Sequence, residues 1–160
     1  MLRFVTVSVV VLAVGMPLSA RAATWELDAG HTSVQFSVRH LMVSNVRGEF
    51  AKVSGVVKVD DTDVTKSVIE ATIDVASINT RNAKRDEHLR SPDFFDATKY
   101  PTITFKSTKA EKTASGWKLT GDLTMHGVTK PVVLDVEGPT PEIKDPWGNS
   151  RAGAQATAKV

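Results

Sequence analysis

The side chains best suited to chemistry in this chain are its histidines. They are His31, His40, His88 and His126. Their spacings match no compact metal-binding motif, and the chain contains no cysteine to complete one. We therefore expect no metal centre and no cofactor, with the histidines serving as ordinary turn or rim residues.

A hydrolytic triad can be assembled on paper from Asp28, His31 and Ser33. A working triad needs a nucleophile exposed on a sharp turn, together with N–H donors for the oxyanion. No Gly-x-Ser-x-Gly elbow surrounds Ser33, and residues 31 and 33 would share one strand face. We expect no catalytic residues, although a secreted enzyme acting on lipid, with histidines as acid, base or ligand, stays an alternative.

A long connection, residues 79–100, carries a cluster of basic side chains interleaved with Asp86 and Glu87. One interpretation is a solvated surface whose charges pair with one another. The other is a rim that binds a polar or phosphorylated head group, for which arginine offers paired hydrogen bonds. On the second interpretation the candidate head-group residues are Arg81, Arg85 and His88. His126 and Lys130, at the end of a hairpin, are a second and weaker candidate, from which Lys130 joins the set.

The elements that must position these residues are β-strands. Apolar residues take every even position in residues 33–39 and every odd position in residues 69–75. Such alternation is typical of strands with one buried face, and it recurs along the chain with turn residues between the runs. We predict one all-β domain, a lipocalin-like antiparallel barrel of about eight strands. Asn82 caps a short helical insertion to about Leu89, and Ser91-Pro92 opens a second helical turn that carries Phe94 and Phe95.

A barrel of this size has room for a packed core or for one modest ligand. The inward residues are mostly small or branched, so we expect an apolar cavity that takes a long lipid. The residues predicted to line it are Val34, Phe36, Val38, Ile69, Ile73, Val75, Ile103, Phe105, Leu119, Leu123, Val132 and Leu134. The alternative is that Phe94 and Phe95 fill the space.

The first 22 residues have the layout of a secretory signal peptide: Arg3, an apolar run over residues 4–16, then small residues to Ala22. That run of 13 residues is too short to span a bilayer, which takes roughly 20 apolar residues. We predict cleavage near Ala22, a mature domain of residues 23–160 without stable membrane insertion, and a periplasmic or secreted location.

The mature chain is electrically neutral. Arg3 and Arg21 are removed with the predicted signal. The mature chain then has 18 of the 20 basic residues and all 18 acidic residues, so its formal charge is zero. This balance gives no support to a nucleic-acid partner. The alternation of the last segment, residues 151–160, runs to the final residue. We therefore expect either a fragment that lacks further C-terminal strands or a barrel with an open edge.

Several segments, taken in order, resemble the YceI-like family of bacterial periplasmic proteins. They are Trp25-Glu26-Leu27-Asp28, His31-Thr32-Ser33-Val34, Val38-Arg39-His40-Leu41, Gly48-Glu49-Phe50, and residues 85–96, 100–105 and 119–131. The resemblance implies a lipocalin-like barrel with an apolar tunnel, a polyisoprenoid or related lipid as ligand, and no established catalytic residues. It also implies, as an alternative, an accessory to a membrane quinone or redox complex. Family members usually continue beyond the equivalent of Val160.

Overall fold

The computed structural model describes the backbone of residues 2–13, 23–60 and 62–160, and side chains from Ala23 onward except at residue 61. The strands are β1 (Leu2–Ala13), β2 (Ala23–Leu27), β3 (Ser33–His40), β4 (Ser44–Phe50), β5 (Val53–Val59), β6 (Val68–Asp74), β7 (Ile78–Asn79), β8 (Thr102–Lys112), β9 (Trp117–Met125), β10 (Val128–Glu137), β11 (Ile143–Lys144) and β12 (Ser150–Ala158). Helix α1 spans Ala83–Arg90, and single 3-10 turns lie at Val64–Lys66 and Val75–Ser77.

All strands belong to one antiparallel sheet with the order β11-β12-β10-β9-β8-β6-β5-β2-β1-β3-β4-β7. Strand β12 also pairs with β1, so the sheet curls back towards its start in a barrel-like form. The prediction of an all-β, antiparallel fold with a short helical insertion is confirmed. The predicted count of about eight strands omitted β1, β4 and the two-residue strands β7 and β11.

Strand β1 comes from the predicted signal peptide. It pairs with β12 along one edge, and with β3 and then β2 along the other. In this structure β1 therefore covers the edge of β12 that the sequence predicted to be open. The predicted cleavage point near Ala22 lies outside the described residues, so cleavage stays a prediction.

Helix α1 begins where the sequence predicts. The Asn82 side chain accepts a hydrogen bond from the Arg85 N–H at 3.0 Å, which satisfies one of the free donors of the first turn. Ser91 ends the helix, because its N–H bonds to the His88 carbonyl. The predicted second turn begins at Ser91, whose hydroxyl accepts from the Asp93 N–H at 3.3 Å, and residues 92–95 form hydrogen-bonded turns without continuing as a helix. Among the described residues, no helix has the length and apolar character needed to cross a membrane.

The core packs around β3, β4 and β5 and is closed by residues near α1. Phe36, Phe50 and Phe95 form a row of rings with centroid separations of 5.5 Å and 5.8 Å. Phe95 thus fills part of the interior, as the alternative interpretation proposed. Phe94 does not, because its side chain points outward and contacts the His88 ring.

Candidate functional site

The strand register aligns apolar residues on the inner face of the sheet from β2 to β10. The directly opposed inner-face pairs are Trp25–Val57, Val57–Ile69, Val53–Ile73, Ile73–Ile103, Ala71–Phe105, Phe105–Leu123, Ala110–Leu119, Leu119–Leu134 and Gly121–Val132. On the opposite face Thr72 opposes Ser54 and Thr104. One face of the six-strand surface formed by β2, β5, β6, β8, β9 and β10 is therefore apolar, and the other is largely polar.

The predicted lining residues lie on strands with one exception. Val75 follows β6 in a 3-10 turn and is fully packed, with 2% of its surface exposed. Val34, Phe36 and Ile103 join it in the buried core, while Val38, Ile73 and Leu123 pack against that core. Seven of the twelve predicted lining residues therefore belong to, or pack against, a core at the α1 end of the barrel.

The inner face of β10 is less covered. Val132, Leu134 and Val136 are only half-buried, while the alternate residues Val133 and Asp135 are exposed.

The neighbours of these residues differ in size. Val132 opposes Gly121, and Val136 opposes Ala156 on β12 and Trp117 on β9. A Cβ atom at Gly121 would lie 2.5 Å from the Phe105 ring, so glycine is required there. The β10 side of the barrel thus offers apolar surface that the protein itself does not fully bury.

Two clefts contain none of the predicted lining residues. The first is lined by Thr113, Ser115, Trp117, Asp135, Val136, Glu137, Gln155 and Thr157. The second is lined by Glu26, Leu27, Ser54, Gly55, Val56, Glu70 and Thr72. The first cleft is lined mainly by polar side chains and the second by polar and apolar residues together, so neither offers a continuous apolar surface for a long lipid.

The four predicted head-group residues have different settings. Arg85 donates from Nε to the Thr80 hydroxyl at 2.7 Å and from a terminal nitrogen to the Thr80 carbonyl at 2.8 Å. Its guanidinium is therefore engaged in holding the helix. Arg81 and His88 are exposed, and His88 lies 3.4 Å from the Asp93 carboxylate.

Lys130 is exposed at the start of β10 and opposes Leu123, which places it on the inner-face side of the strand. Of the four predicted head-group residues, Lys130 lies on the same face of its strand as the apolar residues Val132 and Leu134.

Sequence reasoning missed an ion-pair cluster around Arg151. Its guanidinium donates to Asp28 Oδ2 at 2.6 Å and to Asp145 Oδ2 at 2.8 Å, while His31 Nδ1 lies 2.8 Å from the same Asp28 oxygen. The hydrogen bond from His31, followed by those from Arg151 and the Gly30 N–H, holds the pKa of Asp28 at about 2 despite partial burial. The two turns joined here are distant in sequence, so no local pattern could reveal them.

This cluster does not resemble a catalytic base. A carboxylate with a pKa of about 2 and three hydrogen-bonding partners is a weak proton acceptor. Elsewhere His126 packs on Tyr100, with ring centroids 4.6 Å apart. Within the part of the chain that the structure describes, no group of three or more acidic or histidine side chains is arranged to hold a metal ion.

Comparison with known proteins agrees with this architecture. The YceI-like domain family matches residues 25–160. A UPF0312 protein of Vibrio parahaemolyticus is 40% identical over 152 residues, covering 93% of this chain and 80% of the relative. Protein YceI of Shigella flexneri is 40% identical over 144 residues, covering 89% and 75%. The crystal structure of a Campylobacter jejuni YCEI protein, 41% identical, superposes with a TM-score of 0.62 over 73% of this chain and 68% of that one. The chain belongs to the YceI-like family.

Proposed function

We propose that this protein binds a long apolar lipid, such as a polyisoprenoid, along the inner face of its barrel and carries or sequesters it without catalysis. The observation that carries the proposal is the uncovered apolar surface of β10, where Val132, Leu134 and Val136 face inward yet stay half-buried. The polyisoprenoid association of the family supports the same class of ligand.

The physical gain is the removal of apolar surface from water on both partners. Each methylene that a lipid buries contributes roughly 0.8 kcal/mol, reduced by the chain freedom that the ligand loses. A long chain can therefore bind tightly with few polar contacts. Lys130, at the end of the inner face of β10, is suited to meet an anionic or polar head group.

The place of action follows from the first 22 residues. Their basic start, short apolar run and small-residue end support export, so we place the working protein in the periplasm or outside the cell.

Adjacent residues of β10 provide a matched test. Leu134 faces inward opposite Leu119, whereas Val133 faces outward opposite Thr120 and is 48% exposed. Leu134→Asn puts an amide on the apolar face and should weaken binding of a fluorescent polyprenyl probe by about tenfold, since an unpaired buried amide costs roughly 1–3 kcal/mol. Val133→Asn should bind the probe as the unmodified protein does.

Circular dichroism checks that both variants are folded, and mass spectrometry of an organic extract identifies any copurified lipid. A folded Leu134→Asn variant that binds normally would contradict the inner-face site. If the unmodified protein neither carries lipid nor binds the probe, the proposal fails. Turnover of the lipid into a product would identify an enzyme instead.

A further inference from the structure

The turn between β3 and β4 presents three consecutive apolar side chains to solvent. Leu41, Met42 and Val43 are 78%, 78% and 80% exposed. Single exposed apolar residues are common on protein surfaces, but a contiguous group of this kind marks an interaction site. We call residues 41–43 the apolar tip.

The backbone of the apolar tip is held in an unfavourable conformation. Leu41 and Met42 have φ angles of 48° and 60°, in the left-handed region that glycine and asparagine tolerate best. The Arg39 guanidinium stabilises the turn by donating to the Met42 carbonyl at 2.9 Å and to Asn45 Oδ1 at 3.3 Å. Large apolar residues occupy positions that folding alone would give to glycine or asparagine, which indicates a use for their side chains.

Within the β3–β4 hairpin, the charges nearest the tip are basic. Between Gln35 and Glu49 the hairpin contains Arg39, His40 and Arg47 and no acidic residue. Arg39 opposes Asn45, and Arg47 is two residues further along the same strand, so both arginines project from one face of the hairpin. An apolar tip flanked by arginines matches a bilayer surface that bears anionic head groups.

The tip is also continuous with the interior. On the other face of the hairpin Phe36 lies in the buried core, and Val38, which opposes Val46, packs against it. An apolar path therefore leads from the core along β3 towards the tip.

We propose that the apolar tip inserts into the interface of an anionic lipid bilayer and docks the protein there. The inference rests on the proposed function only in naming the bilayer as the source or destination of the bound lipid. Docking itself uses residues outside the inner face of β10.

Vesicle flotation tests the proposal, with phosphatidylcholine vesicles prepared with and without phosphatidylglycerol. The test variant is Leu41→Asn combined with Met42→Gly, because both replacements tolerate a left-handed backbone. We expect this variant to melt at the same temperature as the unmodified protein or higher, and to bind the anionic vesicles about tenfold more weakly or less.

Trp147→Ser is the matched control. Trp147 is 81% exposed and precedes β12, whose Ser150 pairs with Ala13 at one end of β1, whereas Val38 of β3 pairs with Leu2 at the other end. The control thus removes an exposed apolar residue from the opposite end of the barrel, and it should leave flotation unchanged.

A second variant, Arg47→Gln, tests the charge. A basic residue near an anionic surface contributes about fivefold in affinity, so this loss should appear with phosphatidylglycerol and be absent without it.

The proposal is overturned if the unmodified protein does not float, if the tip variant floats equally well, or if only Trp147→Ser loses binding. Probe titration of the same variants in solution separates the two proposals. If the tip variant binds the probe normally, its lipid site is intact. If the unmodified protein floats with vesicles but binds no probe, the proposed function is contradicted and the docking proposal is not.

Discussion

Arg151 connects two turns that are far apart in the sequence. Its guanidinium donates hydrogen bonds to Asp28, in the turn between β2 and β3, and to Asp145, in the turn before β12. Only 5% of the Asp145 side chain is exposed. Burial raises the pKa of Asp145, but hydrogen bonds from Arg151, Asn149 and the Trp147 N–H outweigh that effect and lower it to about 2. The cluster therefore needs both carboxylates ionised.

We predict that acid weakens this cluster. Because the pKa values of Asp28 and Asp145 in the folded protein lie near 2, below the ordinary value, their stabilising effect is complete above about pH 4. It is lost progressively as the pH falls towards 2. Arg151→Met should lower the melting temperature by about 5 °C at pH 7. Thermal melts at pH 7 and pH 2.5 should show this difference shrink in acid.

An exposed ion pair provides the control for that measurement. Lys118 lies 3.8 Å from Asp135, and both side chains are more than half exposed. Solvent weakens such pairs, so Lys118→Met should leave the melting temperature nearly unchanged at both pH values. If Arg151→Met destabilises equally at both pH values, the guanidinium acts through packing and not through its charge.

At the scale of elements, α1 docks by polar contacts. Arg90 donates to the Ala76 carbonyl at 2.8 Å and to the Ile78 carbonyl at 2.7 Å. From the other direction, the buried Asp86 carboxylate accepts from the Thr80 N–H at 2.8 Å and from its hydroxyl at 2.6 Å. The helix that closes the core end is thus fixed to β7 and its flanking residues through hydrogen bonds to charged groups.

We predict that Asp86→Ala loosens this helix. The change leaves the buried Thr80 N–H and hydroxyl without their acceptor, which costs about 1–3 kcal/mol of unfolding free energy. Glu87, the next residue, is exposed, so Glu87→Ala should change the unfolding free energy by no more than about 0.5 kcal/mol. Urea unfolding measures both. Equal effects of the two substitutions would show that Asp86 acts only through helix propensity.

Alternation predicts strand phase well in this chain because each strand has one apolar face. Ile73 and Thr72 lie on opposite faces as expected, and the inner-face residues of β9 and β10 follow the same pattern. In β8 the pattern holds for Ile103 and Phe105, before the register shifts between Ser107 and Lys109. Strand β4 was missed because Gly48 interrupts its apolar positions. That glycine is explained only by the fold, since a Cβ there would lie 2.5 Å from the Phe36 ring.

Contacts between distant segments could not be predicted. The basic residues near α1 looked like a solvated surface or a head-group rim, yet Arg85 and Arg90 bind main-chain carbonyls of the preceding segment. Ile78, 1% exposed, occupies a two-residue strand that is too short for any periodic signal. Both features depend on which backbone groups the tertiary fold leaves without partners.

Strand β1 pairs with β3 on one side and with β12 on the other. Most of the backbone pairing of β12 is with β1. Its register with β1 runs from Ser150 to Ala158, whereas its register with β10 covers only the three pairs from Asp135–Thr157 to Glu137–Gln155. Strand β3 depends on β1 less, because β4 pairs with it from Val34 to His40.

Cleavage of the predicted signal would produce a chain that starts at Ala23. Without β1, the free N–H and C=O groups of β12 face solvent, and few hydrogen bonds to β10 and β11 hold the strand in place. We expect hydrogen exchange followed by mass spectrometry to show a large loss of protection in β12 relative to the full 160-residue chain, a smaller loss in β3, and none in β5 and β6. The contact between Arg151 and Asp28 should weaken with β12, so Arg151→Met should destabilise the shortened chain less than the full one. Equal protection of β12 in both chains would mean that another strand takes the place of β1, and a cross-linking or sedimentation measurement would then show whether that strand comes from a second copy.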